Sequence, residues 1–181
     1  YVHEKDFSGE AMEYNIRRHY QVNLKLFEQG DTTPRRALYL ALGAKLCAPE
    51  RQLEFLQLAH KVSNTPLDRF RTLLSMGFFY SEQGLWADAL EAFGAATHVR
   101  PDLPDPWLAG GKEWFQNGDY ARAIEWLRTG LGLKFNPIES YVRPRDLKVM
   151  YVGFLGLAWE AFAESLLKTE KHTDALEAYE E

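Results

Sequence analysis

The chain has 181 residues, 46% of them hydrophobic and 26% charged, which excludes a disordered chain and suffices for one sizeable core or one repeat array. Its 21 basic and 26 acidic residues leave a formal charge of −5, which argues against nucleic-acid binding, where a basic surface must displace counterions. Cys47 is the only cysteine, so an intrachain disulfide and a cysteine-built zinc site are excluded, and a reducing, cytoplasmic setting is expected.

Residues 1–8 read as the end of a preceding domain or a linker. Over roughly Gly9 to Gln29, Met12, Ile16, Tyr20 and Leu24 recur every four residues, which predicts a connecting or capping helix within 9–30. From 31 to 181 a repeat array is expected. Thr33-Pro34, Thr65-Pro66 and Asp105-Pro106 each place an N-cap residue before a proline at the first helical position. A first unit near 36–65 joins a helix over Arg36–Leu46, holding Leu42 and Gly43, to one near Glu50–Val62. Two stronger units follow at 70–103 and 104–135. Residues 136–155 read as an insertion holding Asn136-Pro137 and Arg143-Pro144, which lengthens the next helix back to about Asp146. The last unit, 156–181, carries Trp159, Ala163, Leu166, Ala175 and Tyr179, with Glu170 where glycine is expected. The expected fold is all-α, a superhelix of helical hairpins with about nine helices and no sheet. No apolar run approaches the ~20 residues that span a bilayer. The chain opens at Tyr1 without a methionine and stops at Glu181 inside a helical pattern, so it is expected to be a piece of a longer protein.

The two strong units repeat one statement. YSEQGLWADALEAF, Tyr80 to Phe93, recurs 34 residues later as WFQNGDYARAIEWL, Trp114 to Leu127. Small residues match at Gly77 and Gly111 and at Ala89 and Ala123. Aromatics match at Tyr80 and Trp114 and at Trp86 and Tyr120, and glycine at Gly84 and Gly118. Leu73, Met76, Gly77 and Tyr80 fall on one helical face, and Ala89, Phe93 and Ala96 on another. The glycine between them suits the left-handed position just past a helix end. Small residues let two helices approach closely, large aromatics fill the space beside them, and such a pair buries its apolar face only by stacking on neighbours.

These residues resemble the tetratricopeptide repeat, whose period is ~34 residues. The 70–103 unit carries Gly77, Tyr80, Gly84, Ala89, Phe93, Ala96 and Pro101 at the family's positions. The 104–135 unit carries Trp107, Gly111, Trp114, Gly118, Ala123 and Leu127, with Gly130 and Phe135 in place of the expected alanine and proline.

Few residues point to chemistry. Leu108-Ala109-Gly110-Gly111-Lys112 contains glycines but falls inside a predicted helix without phosphate-loop spacing, and neither GxSxG nor HExxH occurs. Cys47 reads as a small buried residue facing the next helix. His60, His98 and His172 lie at or near helix ends, as dipole complements or solvated groups. Glu50, Glu54, Asp88 and Glu91 read as solvated faces. Arg17-Arg18-His19 with Arg143 and Arg145 is either an anion site or ordinary surface charge.

A second resemblance concerns context. Val2-His3-Glu4, a helix with Asn15 and Arg17-Arg18, then Asn23-Leu24 and Pro34-Arg35-Arg36-Ala37-Leu38-Tyr39-Leu40-Ala41 are similar to the junction in bacterial and phage family 2 glycosyltransferases. There a nucleotide-sugar domain precedes tetratricopeptide-like helices. Pro106-Trp107-Leu108, the run from Asp119 to Trp126, and Pro144 before a long helix fit the same tail. The resemblance implies a catalytic domain before Tyr1, using a nucleotide sugar and a divalent metal (manganese or magnesium), with no cofactor and no catalytic residue in this chain. It implies His3 as a metal-side histidine of that domain, and a lone histidine makes no metal site.

Two functions follow. One is a non-catalytic scaffold of a glycosyltransferase that positions an acceptor or mediates self-association. The other is a free-standing adaptor that takes a peptide or a partner helix in an apolar groove. In the tetratricopeptide family the first helix of each pair lines that groove, which implies Arg71, Leu74, Phe78, Ser81, Leu108, Lys112 and Phe115 as the partner-binding residues. Leu74, Phe78 and Leu108 stand where some members place polar residues that clamp a peptide carboxylate. The groove is expected to take an apolar helix or segment, or to be filled by the chain's own final helix or insertion.

Overall fold

The computed structural model describes residues 9–134 and 147–169, with side chains over 12–134 and 155–169. Among these residues the fold is all-α, eight helices and no strand. His3, residues 136–146 of the insertion, His172, Ala175 and Tyr179 lie outside the described residues. The chain divides into two compact units, 1–68 and 69–181.

The first unit holds α1 (Gly9–Glu28), α2 (Pro34–Cys47) and α3 (Gln52–Val62), the last preceded by a 3-10 turn over Pro49–Arg51. Thr33 caps α2 by accepting from the Arg36 N–H. Gly43 lies 34 residues before Gly77, but its space is taken from the preceding helix: a Cβ there would lie 2.9 Å from Tyr20 Cδ2. Arg36 ties the α1–α2 turn together. It donates to Asp31 Oδ2 at 3.0 and 2.8 Å and to Asn23 Oδ1. Those donors from Arg36, joined by Thr33, hold the Asp31 carboxyl below its ordinary value.

The second unit comprises α4 (Pro66–Glu82, whose first turn precedes the division), α5 (Trp86–Val99), α6 (Pro104–Gln116), α7 (Tyr120–Gly132) and α8 (Leu147–Lys168). Thr65 caps α4, accepting from the Asp68 N–H at 3.1 Å while donating to its carboxylate at 2.6 Å. The expected cap at Asp105 moves. Leu103, extended at φ −100° and ψ 131°, precedes Pro104 at the first helical position, as a residue before proline prefers. Asp105 and Pro106 then fall within the first turn, where backbone N–H groups have no helical partner to lose and an acidic side chain suits the dipole.

The 34-residue repeat extends to the backbone. After α4 the Gly84 N–H reaches Ser81 O at 3.0 Å and the Leu85 N–H reaches Tyr80 O at 2.9 Å. After α6 the Gly118 N–H reaches Phe115 O at 3.0 Å and the Asp119 N–H reaches Trp114 O at 3.0 Å. This pair of bonds closes a helix end on a left-handed residue, and Gly84 and Gly118 have φ of 71° and 79°. Their surroundings are open, with nothing within 4 Å of an added Cβ. Gly84→Ala should therefore cost only its left-handed backbone strain, about 1 kcal/mol. Gly84→Asn should cost less, because asparagine tolerates that region. Thermal melts that rank alanine at or above glycine would contradict this turn geometry.

The helix seams repeat too. In the first hairpin an added Cβ on Gly77 would fall 2.4 Å from Phe93 Cε1. Thirty-four residues on, a Cβ on Gly111 would fall 2.6 Å from Leu127 Cγ. Ala89 and Ala123, the matched small residues of α5 and α7, are both fully buried. The second hairpin adds Trp126 over Gly110 and Leu108 against Gly130. Helix α8 packs on α6 and α7 and completes a buried cluster of Leu108, Ala123, Ile124 and Leu127 with Ala158, Phe162 and Leu166.

Candidate interaction face

The first helices of the two hairpins, α4 and α6, carry all seven residues expected to meet a partner. Their ends are joined directly: Ser81 Oγ donates to Glu113 Oε1, a side-chain bond across 32 residues of sequence. Glu113 is only 7% exposed, so its carboxylate depends on such a donor to offset lost hydration.

The seven residues separate by depth. Leu74 and Leu108 are 0% and 1% exposed and belong to the interior. Leu108 fills the space left by the absent side chain of Gly130 on α7, so this position serves the hairpin seam. Arg71, Phe78, Ser81, Lys112 and Phe115 remain partly exposed. The apolar row thus reduces to Phe78 and Phe115. Phe78 stands edge-on to Phe93, ring centroids 5.4 Å apart. Phe115 lies 5.9 Å from Tyr120 and packs on the cluster completed by α8. Part of the second hairpin's apolar surface is therefore covered by the chain's own α8.

Glu113 is the residue that groove positions overlook. Its signal is its place four residues after Ala109 and three after Gly110, both buried. A carboxylate on the small, inward face of a helix needs a polar partner. Tyr80, near the end of α4, is held above the ordinary phenol value by burial and then by the nearby Asp88 and Glu91 charges. It is neutral at physiological pH.

The glycines of Leu108-Ala109-Gly110-Gly111-Lys112 lie within α6 and receive Trp126 and Leu127, so they serve packing. Cys47, expected to be buried, is partly exposed because it is the last residue of α2, beside the turn at Ala48. His60 and His98 are exposed in the last turns of α3 and α5, and His98 Nδ1 lies 2.7 Å from Gly94 O. Glu50, Glu54, Asp88 and Glu91 are exposed. Arg17 pairs with Glu13 at 2.7 Å, while Arg143 and Arg145 lie outside the described residues.

Among the described residues, no group of three or more His, Cys, Asp or Glu side chains is placed to hold a metal ion. No described helix is long and apolar enough to cross a membrane. No family model matches the chain, and no curated protein matches it.

Proposed function

We propose that the chain is a non-catalytic, tetratricopeptide-type scaffold that binds an apolar helix of a protein partner across α4 and α6. The residues in contact would be Arg71, Phe78, Lys112 and Phe115. The supporting observation is that the 34-residue register recurs in both the turn hydrogen bonds and the glycine-centred seams, while Phe78 and Phe115 stay partly exposed on first helices linked through Ser81 and Glu113. Aromatic side chains flanked by basic ones suit an amphipathic helix that offers apolar and acidic positions. The resemblance at Val2-His3-Glu4 and along α1 and α2 supplies a context. In it the scaffold accompanies a sugar-transfer domain and either positions its acceptor or joins two copies.

The test uses two variants, Phe78→Ser with Phe115→Ser, and Arg71→Glu with Lys112→Glu. Sedimentation equilibrium of the chain reads self-association. Sugar transfer by a longer protein containing it reads acceptor positioning. Circular dichroism should keep its helical signal. Loss of a contact hot spot costs about 2 kcal/mol or more, roughly thirty-fold in Kd. If both variants keep the association state and the transfer rate, the α4–α6 face is not the working surface.

A further inference from the structure

We draw no further inference here: the strongest candidate, the apolar row that Leu42 and Leu46 present one turn apart on α2, is an open helix face, and nothing in the structure shows what covers it.

Discussion

Replacing Phe93 by alanine should remove about 3–5 kcal/mol of stability, the usual range for a buried phenylalanine. Its side chain is 1% exposed. Its ring fills the space over Gly77, with three ring atoms between 2.4 and 2.8 Å from where a Cβ would stand. A glycine has no side chain to relax into the void, so the cavity should persist and the cost should lie in the upper part of that range. The edge-on contact with Phe78 is lost as well, and such ring pairs add about 0.5–1.5 kcal/mol beyond area burial. Against a total stability of roughly 5–15 kcal/mol, the variant should melt far below the parent. Urea titration measures the difference. A loss under about 1 kcal/mol would mean that Phe93 does not fill the α4–α5 seam.

Gly111→Leu should be destabilising by about 3 kcal/mol, the upper end for overpacking. Its Cβ alone would approach Leu127 Cγ to 2.6 Å, and the Leu127 backbone nitrogen lies at 3.1 Å. The side chain of Leu127 is fully buried, so relief requires α6 and α7 to separate. The same change at Gly156 is the control. That glycine lies within α8, is exposed, and has nothing within 4 Å of an added Cβ. There, leucine should stabilise by about 0.5–1 kcal/mol through helix propensity. Opposite signs for one substitution at two helical glycines separate packing from propensity. Equal effects at both sites would contradict the seam.

Much of the local architecture was legible because glycine and alanine carry sharp physical meaning. Gly84 and Gly118 mark left-handed turns, and Gly77 and Gly111 mark close helix approach, so a 34-residue coincidence at all four implied two matching hairpins. Gly43 shows the limit of that reasoning. It sits in register with Gly77, yet Tyr20 of α1 fills it, and periodicity names a close approach without naming the helix that makes it. The Asp105 cap failed for a related reason: Pro104 and Pro106 are both acceptable in a first turn, so the pattern did not choose between two starts. In the candidate face, Phe78 and Phe115 were legible as first-helix positions. Leu74 is buried as well, and the withdrawal of Leu108 into the interior depends on the seam contact with Gly130 and on α8, which come from elsewhere in the chain. Glu113 is invisible to a reading that expects inward faces to be apolar.

Successive hairpins stand side by side: α5 packs on α6, and Ser81 of α4 bonds Glu113 of α6. A double-mutant cycle on Ser81→Ala and Glu113→Ala tests this arrangement most directly, because these residues are 32 apart in sequence and meet only if the two first helices are neighbours. A hydrogen bond to a charged group contributes about 1.5–3 kcal/mol, and urea unfolding of the parent, both single variants and the double variant should return a coupling energy in that range. Single-variant losses that add to the double-variant loss within about 0.5 kcal/mol, as independent sites do, would contradict the stacking of the hairpins, on which the proposed partner face rests.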